Sequence, residues 1–471
     1  MIDQKHLHII GICGVATSAI AIAFHNKGWK VTGSDKGFYP PVSTELEKAG
    51  IEFYAGWHPE KMLESLPDIV MIGGSGKSSV NPETLLAKEK NIPIHSFPEI
   101  LEKYFLRENS IVCAGTWGKT TTSTLLSFIL EKTGFDPSYM FGGISLSQKN
   151  AARIADGKWS ILEGDEYTGS QTDNIAKFFH YHPTHLLLTS VSWDHADVYP
   201  TEESYFEAFK KLVAEMPVTG MIVACTDDKG TAKVLGNRKV VSYGKTGSAD
   251  YIYGDVIHTK DGLSFSIIHK DKKYGVESPM LGRFNVENIT GVFAMANEIG
   301  ISPEKIIEAL KEFRGIKRRL EKRFETKDCI TLFDCHAPTP EKAASVLESL
   351  REVYHKKIIA VFEPNIGGRQ RETIGMYDDA FRDADTVIIP RLSKLKIDAN
   401  AGTADQPLEG DELTKVIGKT HTNSHYIESD EKLVTFLTSQ NRQTEADDVI
   451  VFLGSHGFRG MIEETIKALS A

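Results

Sequence analysis

The chain contains no apolar run approaching the roughly 18 residues that a membrane-spanning helix requires, so no bilayer span is expected. Basic residues do not dominate. The 54 lysines and arginines against 64 aspartates and glutamates leave a net charge of −10. That balance argues against nucleic acid or an anionic membrane as the main partner, and leaves room for a local basic pocket that takes a phosphorylated small molecule. Cysteine is scarce: Cys13, Cys113, Cys225, Cys329 and Cys335 are scattered, with no CxxC or Cys/His zinc spacing. Reduced thiols in a cytoplasmic protein are therefore expected. The first residues, MIDQKHLHIIGICG, run straight into a strand pattern with no signal-peptide signature. No internal repeat or low-complexity tract occurs. The rest of the composition, 41% hydrophobic and 25% charged over 471 residues, is that of a folded chain with room for several cores.

The stretch around which the chain is organised is 111–122, IVCAGTWGKTTT. Four mostly apolar residues read as the end of a buried strand. Gly115-Thr116-Trp117-Gly118 makes a tight turn, and Lys119-Thr120-Thr121-Thr122 opens a helix expected to run to about Lys132. Strand, glycine turn and a helix beginning Gly-Lys-Thr form a phosphate cradle, in which backbone N–H groups and the helix N-terminus face the anion. In such a loop Lys119 reaches the β/γ-phosphates of ATP and the Thr120 hydroxyl ligates Mg²⁺. Cys113 stands where the longer GxxxxGK[ST] form has glycine, so the shorter GTxGKT form is the one that fits.

Ahead of the cradle, residues 6–11 read as a strand, GICGVA as a turn, and the next stretch as a helix to about Lys27. A second strand ends in Gly33-Ser34-Asp35. This βαβ unit suits a nucleotide or nucleotide-sugar site, with backbone amides from Gly11 and Gly14 onward for a diphosphate and Asp35 for a ribose or for holding the loop. A plain tight βα turn accounts for the same residues equally well. Gly73-Gly74-Ser75-Gly76-Lys77 is read as a strand-end loop touching substrate, because Pro82 follows too soon for a second cradle. Downstream of the cradle, a strand at 159–162 feeds Glu163-Gly164-Asp165-Glu166, where a Mg²⁺-holding acid belongs. A strand at 185–189 leads to Asp194-His195-Ala196-Asp197, a second candidate metal ligand or phosphate contact. Period-two alternation over 250–276 predicts an antiparallel ribbon. The last third alternates strands and helices again, with strands expected at 329–334, 357–362, 385–389, 424–427 and 448–453.

Five strings in this order resemble the Mur ligase family: GTWGKTT; EGDE (163–166); DHAD (194–197); GRFNVEN (282–288); and Arg318-Arg319-Leu320. The resemblance covers essentially the whole chain. It implies an α/β protein of three domains. A Rossmann-like domain at 1–108 binds the UDP-sugar, and a P-loop ATPase-like domain at 109–320 binds ATP. A Rossmann-like α/β domain at 321–471 closes over ATP and binds the amino substrate. It implies an ADP-forming ligase of peptidoglycan precursors, using ATP and Mg²⁺. The lactyl carboxylate of UDP-N-acetylmuramate is activated as an acyl phosphate, which an amine then attacks. Carried over residue by residue, the resemblance gives Lys119, Glu163 and His195 catalytic roles, with Thr120, Glu163 and His195 around the metal. Gly115, Thr116, Gly118, Lys119, Thr120, Thr121, Asn288, Arg319 and Asp334 become nucleotide contacts. Gly11, Gly14, Ser34 and Asp35, with Arg369, Arg371 and Arg459, become contacts to the two other substrates. Lys210 lies near a lysine that many relatives carbamylate, and is read as an ordinary helix-surface residue.

Two branches of the family share this amino-terminal pattern, one joining L-alanine to UDP-N-acetylmuramate and one joining L-Ala-γ-D-Glu-meso-diaminopimelate. YPPVST (39–44), DHADV, Phe362-Glu363-Pro364 and GSHGFRG (454–460) are more similar to the second, the murein peptide ligases. The departures are Trp117 for the usual His, Ser190 and Ser192 before Asp194-His195, Cys335 in 333–338, and Gly367-Gly368 after Glu363-Pro364. Alternatives stay open at this point: the L-alanine ligase, an inactive UDP-sugar-binding relative, and an NAD oxidoreductase using Gly11 and Gly14.

Overall fold

Short apolar runs build three main sheets in succession along the chain, besides one two-stranded piece, and their central parallel strands are buried as strands covered on both faces must be. The computed structural model describes residues 4–38, 42–73, 78–170, 173–194, 198–327, 330–393, 407–439 and 448–470. The first sheet holds β1 (His6–Ile10), β2 (Lys30–Asp35), β3 (Glu52–Ala55), β4 (Ile69–Ile72) and β5 (Ile94–Ser96), all parallel, in the order β3-β2-β1-β4-β5. Strand order reverses between β1 and β4, the place where such sheets hold ligands at their carboxyl edge. Gly11 and Gly73 end those two strands, and Gly73 N donates to Ile10 O at 2.8 Å. The other residues of the expected 73–77 loop, Gly74 to Lys77, lie outside the described residues.

The chain then forms β6 (Asn109–Ala114), β7 (Ser138–Met140), β8 (Ala152–Arg153), β9 (Trp159–Gly164), a separate two-stranded piece from β10 (Thr168–Ser170) and β11 (Asp173–Ala176), and β12 (His185–Leu188). It continues with β13 (Met221–Cys225), β14 (Val241–Gly244), β15 (Tyr251–Thr259), β16 (Gly262–His269) and β17 (Lys272–Ser278). Ten of these make one sheet, β17-β16-β15-β14-β13-β12-β6-β9-β7-β8. β6 is flanked by β9 and β12, with Cys113 opposite Glu163 and Ala114 opposite Leu188. That register delivers the Gly115 turn, the Glu163 carboxylate and the Ser190 loop to one edge. The helix after β6 runs Lys119–Lys132, as expected.

The third sheet has β18 (Glu321–Glu325), β19 (Thr331–Cys335), β20 (Ile358–Glu363), β21 (Thr386–Pro390), β22 (Ser424–Ile427) and β23 (Val449–Gly454), in the order β18-β19-β23-β20-β21-β22. Alternation sorts its side chains onto two cores, Ile358, Ala360 and Phe362 on one face and Ile359 and Val361 on the other. β18 is antiparallel to β19 and has no counterpart in the sequence reading, because its charged, half-exposed EKRFE has no buried run to reveal it. β19 was expected from Cys329, which lies outside the described residues; the strand itself begins at Thr331.

By compactness the chain falls into two units. One comprises Met1–Asp255, Phe265–Ser278 and Glu287–Arg314, and the other Val256–Ser264, Pro279–Val286 and Gly315–Ala471. No helix among the described residues is long and apolar enough to cross a membrane.

Candidate active site

The cradle needs glycine at two positions. Gly115 has φ +135°, and a Cβ there would lie 2.7 Å from Ser190 O. Gly118 has φ +83°, and its Cβ would run into Asn288 Oδ1. The turn is thus pressed between the loop after β12 and the helix Phe284–Glu298, in a left-handed conformation that costs glycine nothing. The loop after β12 clasps it through the backbone. Thr116 N donates to Ser190 O at 2.7 Å, Trp117 N to Ser190 Oγ at 3.2 Å, and Thr116 Oγ1 to Ser192 O at 2.8 Å. Ser190 and Ser192, two of the departures from the family pattern, therefore hold the turn. Trp117 stands 40% exposed.

Lys119 is folded over its own loop. Its Nζ donates to Gly115 O at 2.7 Å and Thr116 O at 3.2 Å, and forms an ion pair with Glu166 Oε2 at 2.9 Å. Burial acts to depress the ammonium pKa, but Glu166, Asp165 and Glu163 outweigh it and hold Lys119 above the usual lysine range. Glu166 is fully buried and accepts from Tyr205 Oη at 3.0 Å. The sequence marks Glu166 only as one acid of a candidate metal-holding string, not as the partner of Lys119, and does not mark Tyr205 at all. Glu166 sits inside the EGDE string, whereas Tyr205 lies on a helix far downstream and gives no local signal.

Thr120 Oγ1 donates to Glu163 Oε1 at 2.8 Å, and Gly142 N to Glu163 Oε2 at 2.6 Å. A hydroxyl and a carboxylate oxygen this close at the mouth of a phosphate loop are the hard donors that Mg²⁺ prefers. Among the described residues no cluster of three or more His, Cys, Asp or Glu is arranged to hold a metal by itself. The donor set therefore fits a cation that takes its remaining ligands from phosphate and water. His195 and Asp197 lie outside the described residues. Asp165 pairs with Lys177 at 2.5 Å. Lys210 is an exposed helix residue paired with Glu207 at 2.6 Å, as read from the sequence.

At the first sheet, Gly11 has φ +86°, and its amide and that of Ile12 both donate to Ser34 O. Gly14 caps the helix Val15–Asn26, whose free amides face the carboxyl edge. Asp35 holds this loop, accepting from Cys13 N at 2.8 Å and Lys36 N at 2.7 Å. Ser34 corrects the expectation of a substrate contact: it is fully buried and donates its hydroxyl to Glu83. Glu83, which sequence reading passed over, also accepts from His58 N at 2.7 Å and lies 3.4 Å from His8 Nε2.

The third sheet brings two further corrections. Arg369 was expected to offer its guanidinium to a ligand. It is only 3% exposed and donates to Leu408 O at 2.9 Å, Ser393 O at 2.9 Å and Glu409 at 3.2 Å, closing its own loop. Asp334, expected at the nucleotide, is buried in ion pairs with Arg318 at 3.2 Å and Arg323 at 3.4 Å. Burial raises its pKa despite those arginines. Arg318 also ties down the carbonyls of Gly454, Ser455 and His456. Arg319 is half-buried beside His336, whose pKa falls to about 3 through burial, then Arg319 and Arg318. Arg371 remains 47% exposed, 3.5 Å from Glu412, and Arg459 pairs with Asp430 at 2.9 Å.

A strand–glycine turn–lysine helix with an acid on the neighbouring strand, carried on parallel sheets, defines a P-loop α/β protein. Three family models match the chain in succession: Mur ligase family, catalytic domain, over 6–108; Mur ligase middle domain, over 113–296; and Mur ligase, glutamate ligase domain, over 318–456. The UDP-N-acetylmuramate–L-alanine ligase of Mesorhizobium japonicum is 30% identical over 95% of this chain and 94% of its own length. The UDP-N-acetylmuramate–L-alanyl-γ-D-glutamyl-meso-2,6-diaminoheptandioate ligase of Haemophilus influenzae is 32% identical over 77% of this chain and 80% of its own. In fold, the UDP-N-acetylmuramate–alanine ligase of Thermotoga maritima superposes with a TM-score of 0.77 over 99% of both chains, at 22% identity. The chain belongs to the Mur ligase family, the ATP-dependent, ADP-forming amide ligases with three α/β domains.

Proposed function

We propose that the protein joins the lactyl carboxylate of UDP-N-acetylmuramate to the amine of L-Ala-γ-D-Glu-meso-diaminopimelate, driven by ATP. The carboxylate attacks the γ-phosphorus, ADP leaves, and an acyl phosphate forms. The amine nitrogen then attacks the acyl carbon and inorganic phosphate departs. In this reading Gly11, Gly14 and the helix after them cradle the UDP diphosphate, and Asp35 shapes that loop. Gly115, Thr116, Gly118 and Thr121 wrap the ATP phosphates, while Asn288 and Arg319 lie on the nucleotide. The Lys119 ammonium neutralises charge on the γ-phosphoryl oxygens, chemistry that is mostly positioning and charge stabilisation. Thr120 and Glu163, with His195, would hold Mg²⁺, which when bound draws charge from the phosphoryl oxygens. We take the domain borders to lie near 108 and 320, ahead of β6 at Asn109 and β18 at Glu321.

The tripeptide is preferred over L-alanine on one observation: Arg371, on the loop after β20, keeps an exposed guanidinium suited to a substrate carboxylate. Arg459, on the loop after β23, is the second such group, more tightly paired. The rival reading, an L-alanine ligase, is favoured by the 30% identity that runs over 95% of the chain. A phosphate-release assay with UDP-N-acetylmuramate, ATP and Mg²⁺, offering the two amines in parallel, decides between them. The tripeptide is expected to give the higher kcat/KM; a higher value for L-alanine replaces this reading with the other. Arg371→Ala should raise KM for the tripeptide about tenfold, as loss of one charged contact does, and leave KM for ATP unchanged.

A further inference from the structure

We propose that Glu166 is a positioning residue for the phosphate-binding lysine, holding the Lys119 ammonium from behind so that its loop-facing side is offered to the γ-phosphate. This rests on the reading of Lys119 given above.

The ammonium has three partners of two kinds: two backbone carbonyls, Gly115 O and Thr116 O, and the Glu166 carboxylate at 2.9 Å. They are not equally replaceable. A phosphate oxygen can take the place of a loop carbonyl, because a neutral carbonyl that gives up one donor forfeits only a modest hydrogen bond. Glu166 cannot give the lysine up so easily. Its side chain has no exposed surface, and a buried carboxylate that loses its counter-charge is strongly destabilised.

Glu166 is also locked in place. Tyr205 Oη donates to its Oε1 at 3.0 Å, and Tyr199 Oη donates to its backbone carbonyl at 2.6 Å. Tyr205, itself fully buried, lies 2.9 Å from Thr116 Oγ1, whose hydroxyl also accepts from Ser192 N at 2.8 Å. These contacts join the end of β9, the helix Glu202–Glu215, the phosphate turn and the loop after β12. The direction of the lysine is set before nucleotide arrives, which is the arrangement that makes a fixed charge effective in phosphoryl transfer.

The test compares a non-hydrolysable β,γ-imido analogue of ATP with ADP, which lacks the phosphate that Lys119 faces. Binding is measured by calorimetry in the presence of Mg²⁺, on the full chain. Glu166→Gln keeps the side-chain shape and removes the charge. The wild type should prefer the ATP analogue, and Glu166→Gln should lose at least about tenfold of that preference while its ADP affinity stays within about twofold. Turnover should fall by about tenfold or more, seen in kcat rather than in KM for the amine. Tyr205→Phe, which keeps the ring and removes only the hydroxyl, should shift the preference in the same direction by less, and it decides the matter if Glu166→Gln does not fold. A merely structural role weakens both nucleotides alike, and that result overturns the proposal. A preference that both variants keep, or increase, overturns it while leaving the Lys119 assignment standing. A wild type that binds ADP as well as the ATP analogue overturns both.

Discussion

Lys119→Ala should abolish ATP-dependent amide formation, with kcat/KM falling by about a thousandfold or more. Removing one fixed donor to developing charge commonly costs about 100- to 1,000-fold, and Lys119 is a full charge placed at the phosphate turn. The same substitution should also lower stability, because it removes the lysine paired with the buried Glu166 carboxylate. Breaking a buried pair by removing one partner costs roughly 3–5 kcal/mol. The double variant Lys119→Ala/Glu166→Gln separates the two effects. It should regain most of the lost thermal stability and none of the lost turnover, a non-additivity expected of residues in direct contact. Near-normal turnover in folded Lys119→Ala would remove the lysine from the reaction.

Glu163→Ala is the second variant with a large expected effect. Its carboxylate joins Thr120 on the helix after β6 to Gly142, through contacts of 2.8 Å and 2.6 Å. Both oxygens are thus aimed by backbone and hydroxyl donors at the mouth of the phosphate turn. Loss of the carboxylate should lower kcat by about 100-fold or more and raise the Mg²⁺ concentration needed for half-maximal rate. Titrating Mg²⁺ at saturating ATP reads both quantities. A variant with unchanged Mg²⁺ dependence would show that Glu163 serves the fold alone.

The phosphate cradle was legible in the sequence because its chemistry is contiguous. An apolar strand, two glycines and Lys-Thr determine one another within a dozen residues, and the observed helix Lys119–Lys132 follows directly. Glu163 was legible for a related reason, since a carboxylate at the carboxyl end of a buried strand lies at the sheet edge where the turn also lies. The residues that slipped through are those whose place depends on packing between distant segments. Nothing local marks Tyr205 as the donor to Glu166, or Ser190 as the clasp on Trp117. Ser34 and Arg369 failed for the opposite reason, since polar residues in glycine-flanked positions read as exposed. Ser34 instead turns under Glu83, and Arg369 turns inward to the carbonyls of Leu408 and Ser393. β18 was invisible because an edge strand with charges on both faces carries no periodic apolar signal.

Carboxylate activation by ATP is the central claim, and oxygen transfer tests it most directly. UDP-N-acetylmuramate carrying oxygen-18 in its lactyl carboxylate is turned over with ATP, Mg²⁺ and the tripeptide, and the released inorganic phosphate is analysed by mass spectrometry. Phosphorylation of the carboxylate followed by attack at the acyl carbon predicts one labelled oxygen in each phosphate released. Amide formed together with unlabelled phosphate would contradict the account.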